Sequence, residues 1–147
     1  MRLLPWLILF APTAALAAAP TSGVRGDWKT TTNSIVRIAP CSTGNPTMCL
    51  TVVRLPPDAP ESNDDQNPDA SLRKRPICGL TIGTGFHQND PNHLTDGHLY
   101  DPKTGHTYKG TIAAQGDTLD LHGYIGISVF GRSETWHRVP PLADVCH

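Results

Sequence analysis

Between residues 20 and 147 no run of ten residues repeats its apolar side chains at the three-and-four spacing of an amphipathic helix. The chain's thirteen glycines and fourteen prolines cut it into short pieces, and these alternate with period two. Ser34, Val36 and Ile38 share one face of their run. From Leu50 to Leu55, the set Thr51, Val53 and Leu55 opposes Leu50, Val52 and Arg54. From Thr118 to Phe130, Leu119, Leu121, Gly123, Ile125, Ile127 and Val129 oppose Asp120, His122, Tyr124, Gly126, Ser128 and Phe130. Alternation of this kind belongs to strands with one face buried. The connections are short: Asp101–Gly105, Gln115–Asp117 and Gly131–Ser133, so neighbouring strands should pair antiparallel. About eight strands are expected, near 25–32, 34–40, 49–55, 77–84, 97–101, 106–114, 118–130 and 134–139. A meander of that length must hide its two edges, and closing into a barrel does so. The expected fold is therefore all-β, a small antiparallel barrel.

One segment departs from this pattern. Residues 56–75 are rich in proline and charge, and Asn67-Pro68-Asp69 has the form of a helix start, with Asn67 as N-cap and Pro68 in the first turn. One short helix is expected there, ended by Pro76.

The first residues read as a leader: Met1-Arg2, an apolar run to Leu16, then small residues suited to cleavage after Ala17 or Ala19. Residues 1–19 are thus expected to be a signal peptide and 20–147 a single barrel domain, exported in the Gram-negative manner to the periplasm or beyond. Four cysteines in an exported chain favour two disulfides. Three connectivities exist. Cys41 and Cys49 flank a turn-rich loop, so their local pairing is the simplest geometry, and it leaves Cys78 with Cys146. Without Arg2, eleven basic residues face thirteen acidic ones. That balance supplies no basic footprint for nucleic acid, and no later segment is long and apolar enough to span a membrane.

Gly26-Asp27-Trp28 opens the first strand as Gly-x-Trp does in lipocalins, and Trp136-His137-Arg138 offers the arginine that in such barrels stacks on that tryptophan at the closed end. More broadly, the chain resembles an exported bacterial domain-of-unknown-function family, numbered twenty-one forty-seven. The resemblance is carried by "GDW" at 26–28, "SIVRIAPC" at 34–41, "DQNPD" at 65–69, "RKRPICGL" at 73–80, "YDPKTGHTYKG" at 100–110 and "GYIGISVFGRSETWHR" at 123–138. It implies a lipocalin-like, calycin-type barrel and export, with no reaction attached.

Candidate chemistry is sparse. His87, His93 and His98 lie among aspartates at spacings of six and five in a polar stretch, a possible weak metal set, against which stands a merely solvated loop. A serine hydrolase would need Ser128 or Ser133 with His122 or His137, but no Gly-x-Ser-x-Gly elbow exists. No catalytic motif and no cofactor follow. The leading expectation is non-enzymatic binding of a small apolar or amphipathic, lipid-like ligand. Tyr100, Tyr108, Tyr124 and Phe130 would face it, and Arg73 and Arg75 would clamp an anionic head. The alternatives are an envelope protein with a filled barrel that works by surface contact, and weak metal binding through 87–101. Nothing in the sequence sets the oligomeric state.

Overall fold

A computed structural model describes residues 22–59, 62–129 and 131–146. The leader expected at 1–19 and the ligand contact expected at Phe130 lie outside these residues. Eight strands close into one antiparallel barrel in sequence order: β1 Gly26–Lys29, β2 Ile35–Pro40, β3 Thr47–Arg54, β4 Thr81–Asp90, β5 His93–Asp101, β6 His106–Gln115, β7 Thr118–Tyr124 and β8 Gly131–Val139. The ring closes where β1 pairs with β8, through Asp27↔Val139, Trp28↔Arg138 and Lys29↔His137. Alternation then decides what faces inward. Trp28, Ile38, Met48, Leu50, Phe86, Leu94, Ile112 and Leu119 are buried to 2 % exposure or less and fill one half of the interior.

The chain must bring backbones close to fit this core. The ring of Phe86 lies where a Cβ on Gly97 would sit, and Gly110 faces the same ring. Only glycine leaves that room, so β5 and β6 approach Phe86 as no other residues would allow.

The stretch 87–101, expected to hold a polar histidine loop, is a hairpin instead: β4 and β5 run through it and turn at Pro91-Asn92. Its alternation is hidden in the sequence by bulges. Register shifts lie between Gln88 and Asp90 and between Leu94 and Gly97, and Asp96 takes φ 60°. Buried Leu94 and Gly97 are therefore three residues apart rather than two. β4 also starts later than expected. Gly79 and Leu80 bond irregularly to Val52, at 2.8 and 2.9 Å, and are not yet strand.

The run 118–130 breaks at Tyr124. Residues 125–129 form a turn with Gly126 at φ 77°, and Gly131 and Arg132, expected to be the turn, are paired in β8 with Tyr124 and Gly123. The break follows from burial: Ile125, Ile127 and Val129, in phase with the core face, project past the end of the barrel and stay exposed.

Among the described residues of 56–75 the expected helix is also absent. A single 3-10 turn, Ala70–Leu72, is capped by Asp69, whose side chain accepts from the Ser71 N–H. Asn67 does not cap it. Its amide turns inward to Asp64, while its Oδ1 accepts from the Asp69 N–H. No residue of the turn is buried, and a helix with no apolar face to pack has little to hold it together. No described helix is long and apolar enough to cross a membrane.

Candidate functional site

The two ends of the barrel differ. At one end Arg138 lies over Trp28, its guanidinium carbon 4.1 Å from the ring centroid. Its Nη1 donates to the Arg25 carbonyl at 2.9 Å, and its Nη2 to the Gly23 carbonyl and, at 3.3 Å, the Gly116 carbonyl. Its Nε has no hydrogen-bond acceptor and stands 3.5 Å from the exposed Asp117 carboxylate, an ion pair that water screens. The Trp28 indole donates to the Val24 carbonyl at 2.8 Å. Gly26, at φ 129°, leaves room for Nη1 where a Cβ would meet it. These contacts stitch residues 23–26, the β6–β7 turn and β8 into a plug.

The other end is open onto a cavity of about 1040 Å³. Its floor is apolar: Val36, Val52, Ile82, Leu99, Leu121 and Trp136. The expected contacts Tyr100, Tyr108 and Tyr124 all line it. Tyr124 reaches it from the rim, since its ring also stacks on the outward His122, with centroids 5.8 Å apart. Sequence reasoning missed Arg132 and Glu134, which line the cavity beside Trp136. The alternation of "RSETW" carries that signal, because every second residue of a strand shares a face. The Trp136 indole donates to Glu134 Oε2 at 2.9 Å, which orients the carboxylate along the inner wall.

Arg73 and Arg75 do not reach the cavity. Both are consumed in holding the β3–β4 crossover, whose residues Ala59, Ser62, Asn63, Asp65 and Gln66 form part of the mouth. Arg73 Nε donates to the Asn67 carbonyl, and Arg75 Nε to Asp64 Oδ2, each at 2.8 Å. Asp64, fully buried, also accepts from the Tyr100 hydroxyl and the Asn67 amide. Burial pushes the Asp64 carboxyl up, but hydrogen bonds from Tyr100, Asn67 and Arg75 and the Arg75 charge outweigh it and hold it below the ordinary carboxylate value. The same burial and the same carboxylate raise the Tyr100 phenol. A second latch holds the C-terminal segment against the outside of the barrel. Buried Asp27 accepts from Arg37 at 2.7 and 2.8 Å and from the Leu142 N–H at 2.8 Å. Burial again works against this carboxyl, and the Arg37 and Leu142 hydrogen bonds bring it down on balance. The Cys78–Cys146 disulfide binds that segment to the crossover, and Cys41–Cys49 closes the β2–β3 loop.

The histidines do not converge. His87 lies opposite Thr95, and His98 opposite Thr84, on solvent-facing positions of β4 and β5; His93 is at the hairpin's start, bonded to Asp90. Among the described residues no three His, Cys, Asp or Glu side chains are grouped to hold a metal ion. The bulged hairpin, in place of the expected loop, separates them.

His122 and Ser133 do meet, on the outer face of β7 and β8, with Nδ1 and Oγ 2.8 Å apart. His122 Nε2 lies 2.6 Å from the Ser128 carbonyl, which can only accept. Nε2 therefore donates to that carbonyl, and Nδ1 shares a hydrogen bond with the Ser133 hydroxyl. Among the described residues no carboxylate bonds to the ring: Asp120, two residues away on the same strand, accepts from Thr135 at 2.7 Å. Chemically this pair locks the β7–β8 register and holds the 125–129 turn.

Comparison with known proteins agrees with the barrel. A solved structure, "Protein HP1028 from the human pathogen Helicobacter pylori belongs to the lipocalin family", superposes with a TM-score of 0.71 at 20 % identity, over 79 % of this chain and 82 % of that one. At that identity the likeness is one of fold. No curated protein matches the chain. The family model described as "Uncharacterized protein conserved in bacteria (DUF2147)" matches residues 26–138, which include the Trp28–Arg138 pair and all eight strands except Val139 at the end of β8, and the chain belongs to that family.

Proposed function

We propose that this protein is a non-enzymatic carrier of a small apolar or amphipathic molecule, working without a cofactor in the periplasm or outside the cell. The observation that carries this reading is the half-filled barrel: a packed core below, and above it a cavity of about 1040 Å³ with an apolar floor and a polar rim. Ligand sites are concave, mostly apolar and marked by a few placed polar groups, with volumes of roughly 300–1,000 Å³. Two disulfides in a bacterial family fit an extracytoplasmic compartment. Among the described residues the outer-face Ser133–His122 pair has no orienting carboxylate, which supports binding over catalysis.

The test uses N-phenyl-1-naphthylamine, an apolar probe that fluoresces when bound. It should bind saturably, and Val52→Trp, which places an indole in the cavity, should abolish that binding without lowering the melting temperature. Native mass spectrometry of protein taken from its export compartment should retain a lipid-sized mass. Unsaturable binding, or binding indifferent to Val52→Trp, overturns the reading. Ester hydrolysis lost in Ser133→Ala would overturn its non-enzymatic part.

A second reading, action by surface contact, is favoured by Ile125, Ile127 and Val129, which are 67, 61 and 77 % exposed at one end of the barrel. Serine at Ile127 and Val129, which do not line the cavity, should then release the protein from envelope fractions while leaving probe binding intact.

A further inference from the structure

β8 is nine residues long, but β1 covers only its last three, His137, Arg138 and Val139. β1 stops at Lys29 because the chain turns back through Thr30–Ser34, with the Thr30 N–H bonded to the Ser34 carbonyl at 2.9 Å and Asn33 at φ 63°. Gly131–Thr135 therefore have no strand partner on the β1 side among the described residues, and all five are exposed. The barrel has a side gap at its open end. Thr30, Thr32 and Ser34 line the cavity on one bank, and Arg132 and Glu134 on the other.

A bare strand edge is normally covered or blunted. Here both inward positions of the edge are charged, with opposite signs, and they do not neutralise each other. Among the described residues Arg132 forms no salt bridge, and Glu134 meets only the Trp136 indole, through Oε2. Two positions apart on one strand face places them roughly 6–7 Å apart along the wall. A carboxylate oxygen and a guanidinium held side by side, above an apolar floor, complement a head that carries an ammonium and an anionic group together.

We propose that the side gap is a head-group site for a single-chain zwitterionic amphipath. Glu134 takes its ammonium, Arg132 its phosphate or carboxylate, and the chain lies on the floor formed by Val52, Leu99 and Leu121. This rests on the carrier reading and adds to it which chemistry the cavity selects and where the head leaves the barrel.

The experiment titrates the purified full chain by calorimetry with three probes of equal chain length, each below its micelle concentration: lauroyl lysophosphatidylethanolamine, laurate and dodecylamine. The zwitterion should bind tightest, by about tenfold, the size of one charge-assisted hydrogen bond. Glu134→Gln keeps an acceptor for Trp136. It should weaken the zwitterion and dodecylamine by about tenfold and leave laurate unchanged, while Arg132→Gln should weaken the zwitterion and laurate and spare dodecylamine. If the three probes bind alike and neither variant shifts them, the head-group site falls and the carrier reading stands. If no probe binds, and the naphthylamine does not either, both fall. A concentration-dependent dimer in sedimentation, with probe affinities that ignore both variants, means a second copy covers the edge and overturns the proposal.

Discussion

Arg138 joins more of the chain than any neighbour. Its guanidinium holds carbonyls from residues 23, 25 and 116 and lies over the Trp28 ring. Alanine there removes a stacked cation and strands three carbonyls at the plug, so Arg138→Ala should cost about 1–3 kcal/mol in urea denaturation. Lysine restores the charge but not the planar stack, and should recover less than half. Probe binding at the open end should be unchanged in both; loss of binding with unaltered stability would make Arg138 a ligand contact instead. This residue was legible through the lipocalin resemblance, which sets the Gly-x-Trp of the first strand against an arginine of the last. Asp27 was not. Its burial depends on Leu142, 115 residues away, reaching across the outside of the barrel. An aspartate in a strand otherwise reads as a solvent-facing position, and nothing local says that a tail will cover it.

At the scale of elements, the count of eight strands follows from alternation and turn residues, while the strand ends do not. Alternation fails wherever a bulge shifts the phase, as at Asp96, and it overreaches where the barrel ends before the pattern does, as after Tyr124. The crossover between β3 and β4 was illegible for another reason. It has no periodicity and is held largely by polar contacts around Asp64, and a buried acid cannot be told from a solvated one by its neighbours in sequence. Those contacts predict that the crossover opens as a unit. Tyr100→Phe and Asp64→Ala should accelerate amide exchange at Asp64 and Ile77, whose N–H groups bond to Arg75 and Ser62 within the segment. Leu119 and Ile112, deep in the barrel, should keep their protection. Each variant should also change the probe's on-rate, since the crossover forms part of the mouth. Exchange that rises everywhere together would mean the crossover has no independent opening.

The whole molecule is a short barrel whose loose ends are tied from outside: the crossover by Asp64 and Cys78, the C-terminal segment by Asp27 and Cys146. The two disulfides close loops of very different length, with separations of 68 and 8 residues. Chain entropy predicts that serine replacement of the Cys78–Cys146 pair costs about 4 kcal/mol, and of Cys41–Cys49 about 2.5 kcal/mol. Denaturant midpoints should fall in that order, and equal losses would count against a loop-entropy origin. The two buried carboxylates set the response to acid. Both have their proton affinity lowered on folding, so at low pH the unfolded chain binds more protons than the native one. Their contribution is whole above the unfolded carboxylate value of about 3.9 and is lost as pH falls through the lower native values. The unfolding free energy should therefore be level in this respect from pH 7 to about 5 and drop steeply below about 4. Asp64→Asn, which removes one titrating group while keeping its shape, should be less stable at pH 7 and lose less on acidification, so that the two curves converge at low pH. Parallel curves would show that Asp64 is protonated alike in both states, and that its buried hydrogen bonds do not favour the carboxylate.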